Sequence, residues 1–204
     1  MLFHVGVDEI YLLGKRVAEA LAFAYAKQEA VEVRIARIFN TYGPRMHIND
    51  GRVVSNFIAQ ALQGEPLTIY GDGTQTRSFQ FITDLVEGLV RLMASNFSAP
   101  VNIGNPHEHS VSELAQLIQD LVASLEKTKS AKVSEIVYHD GVQDDPKRRK
   151  PDIARARLHL DGWSPKVEIS DGLTQTVRYF EAELIHHLAK TRPRDKENLW
   201  ILTE

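Results

Sequence analysis

Apolar and polar positions follow two rhythms along this chain of 204 residues. Over 15–29, Val17, Leu21, Ala24 and Gln28 fall on one helical stripe with Ala20 beside it, and the stretch is rich in alanine, so the spacing predicts a well-packed helix. The period then shortens to two. Val31, Val33 and Ile35 alternate with charged residues ahead of Ile38, which predicts a strand over 31–38. Gly43-Pro44 inside 41–45 breaks that ladder and predicts a loop. Val53, Val54, Phe57, Ile58, Ala61 and Leu62 share the face of a second helix, closed by Gly64 and Pro66.

The same reading continues to the C-terminus. Residues 67–70 form a short strand, 71–73 a turn and 76–82 an extended run, after which Thr83 caps a helix to about Met93. Residues 101–104 read as a buried strand. Ser110 and Glu113 fit a capping box, each side chain satisfying a free backbone donor at the other, ahead of an apolar helix to about Leu125. A polar, lysine-containing loop over 126–134 is expected to be mobile; a strand at 136–138, a short helix at 152–160 and a longer one at 170–190 follow. From Thr191 the periodicity fades into a frayed tail. Strands and helices alternate without a repeat, which makes the fold class α/β.

Composition narrows the functional classes. With 24 Lys plus Arg against 27 Asp plus Glu, the net charge of -3 gives no global reason to expect nucleic acid or an anionic membrane. The absence of cysteine excludes a disulfide framework, a thiolate nucleophile and any Cys-based zinc or iron–sulfur site. His186-His187 is the densest histidine pair, but no His-x-x-x-His with a nearby acid occurs, so no metal is expected. No apolar run approaches the ~18 residues that cross a bilayer. Asp8 and Glu9 also stand where a signal peptide keeps its apolar stretch, so the chain as written is read as soluble and globular, without signal or anchor.

Tyr11 and Lys15 form Tyr-x-x-x-Lys, a spacing that sets both side chains on one helical face. An ammonium beside a phenol favours phenolate and prepares a general base; a surface lysine near an amphipathic tyrosine is the plain alternative. Asn40 ends the predicted strand where open α/β sheets bind ligands, although an asparagine before a turn commonly bonds its own backbone. Lys147-Arg148-Arg149-Lys150 is the densest basic cluster, its field partly cancelled by Asp144 and Asp145.

The flanking sequence decides between these alternatives. Tyr11-Leu12-Leu13-Gly14-Lys15-Arg16-Val17-Ala18-Glu19, then Arg37-Ile38-Phe39-Asn40-Thr41-Tyr42-Gly43-Pro44-Arg45, then Tyr70-Gly71-Asp72-Gly73 through Thr76-Arg77-Ser78-Phe79 resemble, in order and spacing, the extended short-chain dehydrogenase/reductases that act on nucleotide sugars. Met46-His47-Ile48-Asn49-Asp50-Gly51-Arg52 and Asp144-Asp145-Pro146 through Arg149-Lys150-Pro151-Asp152 are most similar to the UDP-glucuronate decarboxylases, also called UDP-xylose synthases. The resemblance runs from Tyr11 to about Phe180. It implies conversion of UDP-glucuronate to UDP-xylose through an NAD-dependent 4-keto intermediate.

Residue by residue, it implies Tyr11, Lys15 and Arg149 as catalytic and Tyr11, Lys15, Thr41, His47 and Arg52 as contacts of NAD. It further implies Tyr25, Gln28, Glu29, Asn40, Arg77 and Arg149 as contacts of the UDP-sugar, Arg77 on the diphosphate and Arg149 near the carboxylate. Neither 4-epimerisation nor 4,6-dehydration has to handle a carboxylate on this reading, so the Arg149 segment argues for decarboxylation. A homodimer through the helix at 11–29 is implied as well, with Ala18, Ala22 and Ala26 permitting close approach. Animal members lie in the Golgi lumen through an N-terminal anchor, whereas plant and bacterial ones can be cytosolic.

The 12 glycines form no Gly-x-Gly-x-x-Gly, the turn on which a dinucleotide pyrophosphate rests. Residues 1–10 do not resemble the family, and Leu12 and Leu13 stand where decarboxylases usually carry polar residues. The expected architecture is therefore the C-terminal part of a Rossmann-type doubly wound sheet plus a small α/β substrate lobe, without the first βαβ units. Residues 1–43 would be the remainder of the NAD-binding lobe and 44–190 mainly the UDP-sugar lobe, with a helix–strand return to the Rossmann sheet at about 83–104 and a tail at 191–204. The alternatives are a catalytically inactive paralogue acting as a dimerisation or regulatory partner, or another nucleotide-sugar epimerase or dehydratase.

Overall fold

Two apolar clusters that share Ile82 organise the chain. The computed structural model describes residues 7–125, 134–141 and 148–191, with backbone alone over 7–12, 148–149 and 186–191. The elements begin with α1 (Val7–Gln28), β1 (Ala36–Ile38), β2 (Thr41–Tyr42), α2 (Val53–Gln63) and β3 (Leu67–Tyr70). They continue with β4 (Thr76–Ser78), β5 (Gln80–Phe81), α3 (Ile82–Ala94), β6 (Val101–Ile103) and β7 (Glu108–Ser110). Last come α4 (Val111–Leu125), β8 (Ile136–His139), β9 (Arg148–Arg149), α5 (Ala154–His159) and α6 (Ile169–Thr191).

The strands pair in small sets. β1 runs parallel to β6 in the register Ala36↔Val101, Arg37↔Asn102, Ile38↔Ile103. β2 is parallel to β5 and β3 to β8, while β4 lies between antiparallel β7 and parallel β9. The larger cluster buries Phe57 and Ile58 of α2, Leu67 and Ile69 of β3, Ile118 of α4 and Phe180 of α6. The smaller one buries Leu85 and Leu92 of α3, Val101 and Ile103 of β6, and Trp163, whose Nε1 donates to the Asp84 carbonyl at 3.2 Å. Outside it, Glu87 accepts from both Arg91 (2.6 Å) and Lys166 (3.1 Å), pinning α3 to the segment ahead of α6. Those two cations hold the Glu87 carboxyl below its usual range, Lys166 contributing most.

Local chemistry explains where elements stop. Gly64 takes the left-handed conformation, φ 69°, and its amide and that of Glu65 return to Ala61 and Gln60, closing α2. At α4 the capping box forms in both directions: the Ser110 amide donates to Glu113 Oε2 at 2.9 Å and the Glu113 amide to Ser110 Oγ at 3.1 Å.

Several expectations change. The strand of 31–38 contracts to β1, because β6 offers only three residues and the ladder ends with the Ile35 carbonyl accepting from Val101 at 2.9 Å. Thr41 and Tyr42, expected in a loop, pair with Gln80 and Phe81 as β2. Thr83 is not the cap of α3; the helix starts at Ile82, with Phe81 in the cap position and no side-chain cap bond. β7 and β9 were too short and polar to show a period. The stripe of Val17, Leu21, Ala24 and Gln28 is exposed, not packed, since α1 meets the body through a different face described below. The expected mobile loop at 126–134, except Ser134, and the tail from 192 lie outside the described residues. Among the described residues no helix is long and apolar enough to cross a membrane.

Candidate active site

β1 and β6 run in the same direction, so their carboxyl ends open onto one edge, where open α/β sheets take their ligands. Asn40 follows β1 there and Asn105 and Pro106 follow β6, the ends tied by the Phe39 amide donating to Ile103 at 3.1 Å. Gly104 permits a close approach: a Cβ on it would lie 2.8 Å from Phe39 Cβ and 2.9 Å from Pro151 Cγ. The segment after β9 is thereby drawn to the same edge. Beside it runs an open groove lined by Pro106, Lys150, Pro151, Asp152 and Arg157.

Gln80 locks this edge from below, a role that sequence reasoning missed. Its fully buried carboxamide donates through Nε2 to Ile103 O at 2.9 Å and to Thr41 Oγ1 at 3.0 Å, and lies 3.4 Å from Phe39 O. Its Oε1 is buried with no hydrogen-bond partner. The available signal was a lone amide between Phe79 and Phe81 in a strand, a polar side chain that must find buried partners.

The residues singled out in the sequence separate into three groups. Thr41 is half-buried on β2, its hydroxyl donating to Phe39 O at 2.9 Å, and neighbouring Asn40 is exposed with its carbonyl accepting from Gln80 at 2.9 Å. His47 and Arg52 lie in the exposed loop that enters α2. His47 Nδ1 accepts from the Asn49 amide at 3.1 Å, and Arg52 occupies the N-cap position of α2 without a side-chain cap bond, pairing with Asp50 at 3.5 Å. Tyr42, next to Thr41, is no candidate base, because burial first and the charges of Asp84, Asp171 and Glu168 after it hold its phenol far above the ordinary range.

Arg77 is 8% exposed on β4 and donates to Thr76 O at 2.8 Å. Its register partners are His109 on β7 and Arg149 on β9, so three basic positions form a row across this sheet. Sequence spacing could not show this, since 72 residues separate Arg77 from Arg149. Glu108 gathers the neighbouring positions, accepting from Thr76 Oγ1 at 2.9 Å with Lys150 Nζ 3.7 Å away.

Tyr11 and Lys15 belong to α1, Lys15 exposed and Tyr11 described by its backbone alone. Tyr25, Gln28 and Glu29 are exposed at the other end of that helix. Fourteen helical residues separate Tyr25 from Tyr11, which at 1.5 Å per residue is about 21 Å, so α1 does not bring these two sets together. Among the described residues no group of three or more His, Cys, Asp or Glu could hold a metal ion.

The model of the NAD dependent epimerase/dehydratase family matches residues 4–104. Over 182 residues the chain is 59% identical to UDP-glucuronic acid decarboxylase 1 of Danio rerio, covering 89% of this chain and 41% of that protein. It is 53% identical over 169 residues to UDP-glucuronic acid decarboxylase 3 of Arabidopsis thaliana, covering 83% of this chain and 47% of the relative. The chain thus spans about half or less of the length of these relatives. Among solved structures it resembles UDP-glucuronic acid 4-epimerase from Bacillus cereus in complex with UDP-glucuronic acid and NAD, with a TM-score of 0.70 and 30% identity over 81% of this chain and 50% of that one. With motifs, strand topology and relatives in agreement, the chain belongs to the NAD dependent epimerase/dehydratase family.

Proposed function

We propose that these residues form the UDP-sugar-binding lobe and catalytic helix of a UDP-glucuronate decarboxylase, which yields UDP-xylose. The observation that carries this reading is the register of Arg77 with Arg149 on adjacent strands beside the Lys150–Asp152 groove. Two arginine positions in register suit a diphosphate and a carboxylate, which planar guanidinium groups recognise through paired donors. Carboxylate handling alone does not separate decarboxylation from epimerisation, since the Bacillus cereus neighbour is an epimerase solved with UDP-glucuronic acid. Decarboxylation is favoured by the 59% identity to a decarboxylase, against 30% to that epimerase.

The donor set at the sheet edge fits part of NAD. The Thr41 hydroxyl, which donates to Phe39 O and accepts from Gln80 Nε2, keeps one lone pair for an amide donor such as the carboxamide of a nicotinamide ring. Tyr11, Lys15, His47 and Arg52 would complete the nicotinamide and ribose contacts, and bound NAD would supply hydride acceptance and return. Tyr11 takes the proton from the sugar hydroxyl, Lys15 one turn away favours the phenolate, and Arg77 and Arg149 hold the anionic oxygens. The exposed Leu13, Val17 and Leu21 of α1 form the surface of a homodimer. Golgi residence, if the source is an animal, belongs to the same proposal.

Calorimetric titration of the chain with UDP and with UDP-glucuronate tests the reading. We expect saturable UDP binding, weakened about 10- to 100-fold by Arg77→Ala, the effect of losing charge-assisted hydrogen bonds. No heat at millimolar UDP would overturn it. Because the 204 residues carry no Gly-x-Gly-x-x-Gly turn, weak NAD binding and no turnover are expected of this chain alone. Release of UDP-xylose or micromolar NAD affinity would overturn that part, and a 4-epimer would favour an epimerase.

A further inference from the structure

From Leu13 to Gln28, only Glu19, Ala22 and Ala26 of α1 are partly covered, and all other positions are exposed. These three lie at i, i+3 and i+7, one narrow stripe along the helix. Lys15 and Tyr11 stand four and eight residues before Glu19, so they extend the same stripe. Leu13, Val17 and Leu21 fall on the opposite side. The turn of α1 about its own axis thus decides whether the Tyr-x-x-x-Lys pair faces the body or solvent.

That turn is set by two parallel hydrogen bonds. Arg37 Nε donates to Glu19 Oε1 at 2.6 Å and Arg37 Nη2 to Glu19 Oε2 at 2.7 Å, a fork-to-fork pair. Arg37 sits in the middle of β1, its backbone fixed opposite Asn102 and three residues before Asn40. One end of the fork is therefore anchored to the strand that leads into the site and the other to the stripe bearing Tyr11 and Lys15. The geometry is two-point, which resists rotation in a way a single contact cannot. The other charged group acting on Glu19 is Arg16, and both cations hold the Glu19 carboxyl below its usual range, Arg37 foremost.

We propose that Glu19 and Arg37 are positioning residues, a latch that orients α1 so that Tyr11 and Lys15 face the carboxyl end of β1. The catalytic meaning of that orientation rests on the function proposed above; the latch itself does not. Lysine in place of Arg37 keeps the charge and loses the fork, so it holds α1 less firmly than arginine does.

The absence of native cysteine makes the test direct, because spin labels attach only where cysteines are introduced. With Ala24→Cys on α1 and Ser98→Cys on the body, pulsed electron spin resonance reads the distance distribution between them. We expect a narrow distribution in the labelled parent, at least a twofold broadening in Glu19→Gln and in Arg37→Gln, and an intermediate width in Arg37→Lys. The charge-reversed pair Glu19→Arg with Arg37→Glu should restore a narrow distribution. Melting temperature and helix content, recorded alongside, should stay close to the parent's. A single variant as narrow as the parent overturns the latch, as does failure of the reversed pair to restore it. Broadening that comes only with a collapse of melting temperature assigns the pair to bulk stability and overturns it too. A UDP titration of the labelled parent reports separately on the proposed function, so the two ideas fail independently.

Discussion

Gln80 shows how one side chain does several jobs at a single strand end. Its amide hydrogens serve two carbonyls and a hydroxyl from two separate stretches of chain, 39–41 and 103, which is why an amide stands between two phenylalanines. Gln80→Leu would keep the volume and strip those bonds, while Ile103 O keeps the Phe39 amide and Phe39 O the Thr41 hydroxyl as donors. We expect a loss of about 1–2 kcal/mol, the net worth of the two shorter hydrogen bonds removed, read from urea denaturation of the chain. The loss is partly offset because the unpartnered Oε1 disappears as well. An unchanged midpoint would show that the remaining donors, the Phe39 amide and the Thr41 hydroxyl, hold this edge without Gln80.

Among the elements, α1 departs furthest from its apolar pattern. Its stripe of Val17 and Leu21 looked like the side of a helix that seeks a core, yet Val17 is 49% and Leu21 55% exposed, and an ion pair faces the body instead. Periodicity finds an apolar face but says nothing about what covers it. If that face pairs two copies of the chain, Val17→Glu with Leu21→Glu should shift sedimentation from dimer to monomer while UDP binding persists. A parent that sediments as a monomer would remove the dimer. By contrast α2, α4 and β3 were legible almost to the residue. Their signals are local: a glycine at the C-terminus of α2, the reciprocal Ser110–Glu113 cap, a short apolar run in β3. β2, β7 and β9 were not legible, since strands of two or three residues are defined by the partner they lie against. The site divides the same way. Individual residues stood out by motif, whereas the row of His109, Arg77 and Arg149 exists only once three distant strands are laid side by side.

Over the whole molecule, exposed ion pairs fasten parts that the apolar clusters leave loose. Glu19 ties α1 to β1, and Glu87 ties α3 to the chain before α6. Both carboxyls lie below their ordinary range when folded, so their contribution is present above the unfolded pKa and is lost as pH falls through the lowered folded value. We expect the denaturation midpoint to fall on acidification from pH ~6 to below ~4, the span in which carboxylates titrate. The decline should be shallower in Glu87→Gln and in high salt; equal pH slopes in parent and variant would count against the assignment. Among the described residues β1 is paired along one side only, through β6. The backbone groups of Ala36 and Ile38 point to the other side, next to an Ile38 side chain that is 54% exposed. Such a margin is a template: any extended peptide lying alongside can complete its ladder. Among the described residues these three positions of β1 are thus where a strand added from outside would extend the β1–β6 pair without disturbing either apolar cluster.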